Sequence, residues 1–322
     1  MSFVAPAETQ QELAKRYKVI LRRQTFRRFL RMRSFYVLLS LSLGLLILLK
    51  YVPIYGALIA FKDFNVTKGI LGSPWNDFAH FRRLTADPFF LRVVWNTFWL
   101  SVLRIVFAFP APVILALLLN EVRNAPYKRT VQSISYLPHF MSWVVLAGIF
   151  REILSSQRGI IGYLFTLVGL EPINWLTNVP TFRGLLVVTG IWQSVGWGTI
   201  VFLAALSSVD PELYESAEID GAGRFAKAVR VTIPAMVPVI VILLLLQVSK
   251  VLDESFDHIF NLYNPLVYSV ADVIDTYIYR SGIVEGQYGY TAAVGLFKNV
   301  AGLVIVLGVN EAIRRRSEFG LW

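Results

Sequence analysis

Long apolar runs separated by short polar stretches set the pattern of this chain. A bilayer's hydrocarbon core takes roughly 20 helical residues, and six runs are long enough: 35–61, 93–119, 131–153, 184–206, 235–260 and 291–313. The pattern predicts an all-α polytopic membrane protein with six transmembrane helices. It divides into a tail over 1–34, a transmembrane domain over 35–313 and a short tail over 314–322. Pro110 and Pro112 fall inside the second run and predict a kink, because proline deletes a helix hydrogen bond and its ring crowds the preceding turn. Pro138 is placed in the first turns of the third run, where it costs less. The outer connections over 154–183 and 261–290 read as loops too short for domains, the former with a short amphipathic helix over 160–170.

Composition agrees with the pattern. The chain has 322 residues, 56% of them hydrophobic, with a mean hydropathy of +0.57, above the apolar share of soluble domains. A net charge of +10 raises nucleic acid as a partner, so the placement of that charge decides. With both termini inside, eighteen Lys/Arg fall on cytoplasmic segments against seven on outer loops, the other six lying within or at the edges of the runs. That asymmetry is the positive-inside signal of topology, and no nucleic acid is needed to explain the excess. Nine of the basic residues run from Lys15 to Arg33 without an acid, the pattern of a helix lying on anionic membrane lipids. The first apolar run is too long for a cleavable signal and reads as an uncleaved anchor. The absence of cysteine excludes disulfides and thiolate chemistry.

One polar insert, 207–234, has its own design. Asp210 is an N-cap candidate with Pro211 at the first helical position. Glu212, Glu215 and Glu218 follow at helical spacing near the positive helix end, and Leu213, Ala217 and Ile219 give an apolar side. Gly221 or Gly223 supplies the left-handed residue that ends a helix. A second short helix over 224–231 is expected to stop before Pro234. The product is a surface helix-turn-helix that offers a knob to a partner's groove.

The chemistry within the runs is polar but not obviously catalytic. No G-x-x-x-x-G-K-[ST] loop occurs, so ATP hydrolysis is not expected of this chain. His80, His139 and His258 lie far apart and predict no metal cluster. Lys250, Asp253, Glu254 and Asp257 recur at helical spacing after Gln247 and are expected on one face of the fifth span. Arg104 stands midway along the second span, and Lys298 and Asn299 in the outer part of the sixth. Charges facing lipid cost about 2.5–3.5 kcal/mol each on insertion scales, so these residues line a path or pair inside the protein, for example Lys298 with Asp253. Trp192, Gln193 and Trp197 in the fourth span combine indole faces with an amide, a surface suited to sugar.

Glu215-Ser216-Ala217, Asp220-Gly221 and Pro234, in that order, resemble the "EAA" loop of binding-protein-dependent ABC importers. Ser216 and Ile233 stand where that pattern has Ala and Leu. Trp95-Asn96-Thr97, Tyr136-Leu137-Pro138-His139-Phe140 and Gly196-Trp197-Gly198-Thr199 extend the resemblance over about 35–316, toward maltose-type oligosaccharide permeases and, within them, alginate-importer permeases. The resemblance implies a non-enzymatic permease of a bacterial inner membrane, gripped by ATPase subunits through Glu215, Ser216, Ala217, Asp220, Gly221 and Pro234. It implies a second homologous permease, two ATP-binding subunits that hold the ATP and Mg, an extracytoplasmic solute-binding protein and an oligosaccharide cargo. The candidate cargo path comprises Trp192, Gln193, Trp197, Gln247, Lys250, Asp253, Lys298 and Asn299. Two rivals stay open: a secondary sugar transporter, and a membrane-bound polysaccharide enzyme using Asp253 and Asp257 as an acid/base pair.

Overall fold

The computed structural model describes residues 32–253 and 256–315, with Glu12, Lys15 and Tyr17. The remainder of the basic tail, Glu254 and the last seven residues lie outside the described residues. Among the described residues, five helices are long and apolar enough to cross a membrane: Ser34–Phe61, Pro88–Glu121, Val179–Ser207, Arg224–Val248 and Tyr288–Arg314. A sixth crossing arises if the pair Ala125–Phe140 and Trp143–Ile153, bent by 107°, is taken as one span. The chain clusters into two units, 1–58 and 59–322. The first contributes helix α1 (Arg33–Leu46), whose Phe35, Val37, Leu38 and Leu41 side chains are exposed. The second unit carries everything that follows, and its principal helices are α2 (Pro88–Leu103), α3 (Pro110–Glu121), α4 (Ala125–Tyr136), α5 (Trp143–Ile153), α6 (Ile160–Leu167), α7 (Val179–Ser207), α8 (Pro211–Ile219), α9 (Ile233–Val248), α10 (Phe256–Leu262), α11 (Ile274–Ile278) and α12 (Tyr288–Arg314).

Proline shapes these helices through one recurring device. The π-turns Ile47–Tyr51, Arg104–Ala108 and Ala228–Thr232 are closed by the N–H groups of Val52, Phe109 and Ile233, and each closing residue is followed directly by a proline. Proline cannot donate to the carbonyl four residues back, and its ring crowds that group. A wider i→i+5 turn shifts the hydrogen-bond frame and lets the helix continue. The expected stop before Pro234 is therefore corrected: the chain stays helical from Arg224 to Val248. In the third crossing proline acts differently. Pro138 sits in a 3-10 turn over Leu137–Phe140, Met141 is extended, and Ser142 caps α5 by accepting from the Val145 N–H at 3.4 Å. The straight span expected over 131–153 is thus two helices meeting at a sharp bend.

Gly196 explains how α7 packs against that bend. A Cβ built on it would lie 2.1 Å from the Ser135 carbonyl oxygen, so only glycine permits this crossing. Three buried clusters then tie the helices together. Ala116, Phe202, Leu206 and Met236 join α3, α7 and α9 at one end. Leu100, Phe182, Leu186 and Ile259 join α2, α7 and α10 midway. Phe90, Val93, Ile274, Tyr290 and Val294 join α2, α11 and α12 at the other end.

Two further expectations are corrected. The connection 261–290 is no exposed loop, for Val267, Ala271, Asp272, Val273, Ile274 and Thr276 are at most 1% exposed. The fifth span covers 224–248 rather than 235–260, and a series of tight turns follows it, Lys250 N–H to Gln247 O, Val251 to Val248, and Asp253 to Lys250. Lys250, Asp253 and Asp257 therefore do not share one helical face. The density of charge from Lys250 to Asp257 is what an apolar helix cannot carry, and the backbone leaves the helix where it begins.

Candidate coupling loop and polar interior

The coupling loop follows from local rules. Asp210 accepts from the Glu212 N–H at 3.0 Å and starts α8, with Pro211 at its first position. Gly221 has φ +75°, and the Gly221 and Ala222 N–H groups return to the Glu218 and Ala217 carbonyls at 3.0 and 2.8 Å. That reciprocal pair is the Schellman cap, and it decides between the two glycines, since Gly223 has φ −70° and begins the next helix. Tyr214 anchors the loop through a 3.1 Å hydrogen bond to the buried Thr232 hydroxyl. Lys227 pairs with Glu218 at 2.8 Å and, by that hydrogen bond, holds the Glu218 carboxyl below its ordinary range. Glu215, Ser216 and Asp220 are exposed, as is Pro234. Ile219 and Phe225 are 87% and 83% exposed, so the loop presents two apolar side chains beside its acids.

The interior holds the second arrangement. A cavity of about 230 Å³ is lined by Arg104, Trp143, Gln193, Ser194, Gln247 and His258. A second of about 180 Å³ is lined by Ser101, Arg104, Gln247, Lys250 and Asp253. Arg104 and Gln247 line both. Both lie beside the π-turn of the second span, whose first residue is Arg104. Ser101 donates to the Val251 carbonyl, which seats the turns after α9 against α2.

The expected path residues separate into three groups. Gln193, Gln247, Lys250 and Asp253 are brought to the cavities. Lys298 is not a lining residue there but a clamp: its ammonium meets Asp253 at 2.6 Å and Asp275 at 2.5 Å. Trp192, Trp197 and Asn299 line neither cavity. Trp192 packs edge-on against Phe150 at 5.5 Å, and Trp197 stacks on His139 at 4.8 Å and 3°. Asn299 is exposed on α12. An acid/base role for Asp253 and Asp257 loses its geometry, since Asp253 is ion-paired to Lys298.

Sequence reasoning missed His258, Trp143 and Asp275, and weighed Arg104 only as a charge. His258 is 1% exposed and stacks on Trp143 at 3.8 Å. The signal available was weak: a histidine beside a cluster of charges, with no period linking it to Arg104, 154 residues earlier. A second polar network, also unforeseen, holds the buried connection. Arg280 meets Asp272 at 2.5 Å and lies over the Tyr268 ring at 4.6 Å. Asp272 also accepts from Thr276 at 2.7 Å, while Asn96 donates to the Asp272 carbonyl and accepts from Arg183 at 2.8 Å.

Comparison with known proteins now adds identity. The binding-protein-dependent transport system inner membrane component family matches residues 94–317. Protein LplB of Bacillus subtilis is 43% identical over 287 residues, covering 89% of this chain and 90% of that one. The polygalacturonan/rhamnogalacturonan transport system permease protein YteP of Bacillus subtilis is 43% identical over 276 residues, covering 86% of each. A solved bacterial ABC transporter involved in import of the acidic polysaccharide alginate superposes with a TM-score of 0.84 at 38% identity, over 91% of this chain and 99% of that one. A solved bacterial alginate ABC transporter in complex with an alginate pentasaccharide-bound periplasmic protein also superposes with a TM-score of 0.84 at 38% identity, over 92% of this chain and 99% of that one. Five long apolar helices with one bent pair, an EAA-type surface loop and matches of this extent lead to one conclusion: the chain is a multi-pass membrane permease and belongs to the binding-protein-dependent transport system inner membrane component family.

Proposed function

We propose that this chain is one permease half of an ATP-driven importer for acidic oligosaccharides, with a second homologous permease as its other half. The exposed coupling loop carries the reading, because α8 is rigid by its Asp210 cap and Gly221 turn yet leaves Ile219 uncovered. Two ATP-binding subunits grip that knob from the cytoplasmic side, where the positive-inside asymmetry also puts both termini. They hold the ATP and Mg, and this chain holds no cofactor. An extracytoplasmic solute-binding protein delivers the sugar to the opposite face. ATP binding closes the ATPases, pushes α8 along its tether to Thr232, and rocks the helices between inward-facing and outward-facing states. Moving such an equilibrium from 1:99 to 99:1 takes about 5.5 kcal/mol of differential binding, within reach of ATP-driven closure.

The acidic cargo draws on two relatives, one named for polygalacturonan/rhamnogalacturonan and one for alginate, together with cationic side chains in the cavity lining. The test is co-purification of the tagged chain followed by uptake in vesicles. Stoichiometric ATPase subunits and ATP-dependent uptake of a uronate oligosaccharide are expected. Uptake by the isolated chain driven by an ion gradient would replace this reading with a secondary transporter.

A further inference from the structure

Helix α6 carries apolar side chains on two sides, and only one side is packed. Ile161 and Phe165 are half-buried, Phe165 edge-on against Trp175 at 6.0 Å. Ile160, Tyr163, Leu164 and Leu167 recur at three- and four-residue spacing on the other side and are 50–64% exposed. Water is a poor neighbour for such a stripe, so its place in the fold decides what covers it. The helix follows α5, the second half of the bent third crossing, after the short turn 154–159. Gly159 makes that turn tight: a Cβ there would lie 2.3 Å from the Ile153 carbonyl oxygen, and its N–H donates to the Ser155 carbonyl at 2.9 Å. After the connection 168–178 the chain enters α7, which crosses back and ends at the coupling loop. Eight helical residues reach only about 12 Å, too short to cross. Helix α6 therefore lies level with the membrane boundary opposite the coupling loop.

We propose that α6 is seated in the lipid leaflet opposite the coupling loop, its exposed stripe among the acyl chains and Arg158 on a phospholipid phosphate. The stripe follows directly on Val145, Ile149 and Ile153, exposed aliphatic side chains one turn apart on α5. Charge agrees with a lipid occupant. Arg158 is exposed at the start of α6 and makes no ion pair among the described residues, either with Glu152, the nearest acid in sequence, or with any other. With Gln157, Tyr163 and Thr166 it lines an open groove of about 440 Å³. A guanidinium fork matches a phosphate in two parallel hydrogen bonds. Tyr163 suits the same depth, its ring among apolar groups and its hydroxyl at the headgroups. Thr166 lies on the helix side turned from the stripe, where its hydroxyl donates back to the Gly162 carbonyl at 3.1 Å. Apart from the Tyr163 hydroxyl the stripe offers no hydrogen-bonding side chain. That suits lipid rather than a soluble protein, whose docking surfaces carry about one hydrogen bond per 100–200 Å².

The experiment is nitroxide collision in the complete transporter, its other subunits freed of reactive cysteine, in vesicles of phosphatidylethanolamine and phosphatidylglycerol. Because this chain has no cysteine, spin labels go on through Leu164→Cys, Leu167→Cys and, as the water-facing control, Thr166→Cys. All three native side chains are exposed, so the substitutions leave the packing intact. At Leu164 and Leu167, collisions with oxygen, which dissolves among acyl chains, should outnumber those with a water-soluble nickel chelate. Their ratio should place both labels about 5–10 Å into the headgroup and acyl boundary, the depth of an interfacial helix. At Thr166 the order should reverse. Nickel-dominated collisions at Leu164 and Leu167 would mean that the stripe faces water, and few collisions with either agent would mean that a protein covers it; each result would overturn the lipid seat. Arg158→Glu sets a negative charge against the phosphates and should draw the Leu164 label toward water by a few ångströms, whereas Arg158→Lys should hold it. An unchanged depth in Arg158→Glu would overturn the phosphate contact.

Discussion

The coupling loop and the segment from Ser249 to Arg280 are both polar interruptions between apolar helices, and they resolve their polarity in opposite ways. Around α8 the stabilising contacts are mostly local, the Tyr214–Thr232 hydrogen bond and the Arg224–Glu121 pair at 3.9 Å being the longer ones, and the acidic side chains stay in solvent. In the second segment His258, Asp272 and Thr276 are buried, and the segment is tied across long separations, His258 to Arg104 and Val251 to Ser101. A surface knob must be stiff by itself because its partner arrives later. A polar interior is held by neighbours that must all be in place at once. Substitutions should therefore act locally on coupling in the first region and globally on folding in the second.

The largest effect is expected at Asp272. It is 1% exposed and meets Arg280 at 2.5 Å, and removing one partner of a buried pair leaves an uncompensated charge, at a cost of about 3–5 kcal/mol. Asp272→Ala should abolish monodisperse purification in detergent or lower the thermal midpoint sharply, and Asp272→Ala with Arg280→Met should recover part of the loss. A stable single variant would mean this connection is not part of the core. Gly221→Val should come next and act on coupling alone. Its φ of +75° is strained for any β-branched residue, by roughly 1–2 kcal/mol, so the turn shifts and ATPase retention on the purified complex drops while the thermal midpoint stays within a few degrees. Normal retention would remove the turn from the docking surface.

Lys298→Gln sharpens the contrast inside the membrane domain. Because Lys298 clamps Asp253 to Asp275, uptake of acidic and neutral oligosaccharides should fall together. Selective loss of the acidic sugar would move Lys298 from clamp to path. The smallest effect belongs to Glu218→Gln. The hydrogen bond from Lys227 depresses the Glu218 carboxyl, so its contribution is present above the ordinary carboxylate range and lost as pH falls through the depressed value. The pair is exposed and screened by salt, and ATPase coupling measured at neutral pH should stay within about twofold of the unsubstituted complex.

This division also marks what the sequence made legible. The Asp210 cap, the Pro211 start and the Gly221 turn are local and appear where the residues place them, and so do the apolar crossings apart from the bent third and the shifted fifth. Gln193, Gln247, Lys250 and Asp253 were legible as polar positions that cannot face lipid. The bend at Pro138 and the break after Val248 were not, because hydropathy averages over a window and does not register where a helix yields to its neighbours. Helical spacing put Lys250, Asp253 and Asp257 on one face, and the spacing ceased to apply once the chain turned at Ser249. His258, Trp143 and Asp275 gain their meaning only from partners brought close by folding. Trp192 and Trp197 show the converse, aromatic residues that look like a sugar platform and pack on Phe150 and His139.

The central claim is that Ile219, at the tip of α8, faces the cytoplasm and meets the ATPases. The chain contains no cysteine, so a single Ile219→Cys variant reports without background, and the native side chain there is 87% exposed. Labelling with a membrane-impermeant thiol reagent is measured in intact cells, in inside-out vesicles, and in such vesicles stripped of ATPase subunits. The account predicts no labelling in intact cells, slow labelling in vesicles with the ATPases bound, and fast labelling once they are removed. Labelling from outside intact cells, or a rate indifferent to the ATPases, would contradict it.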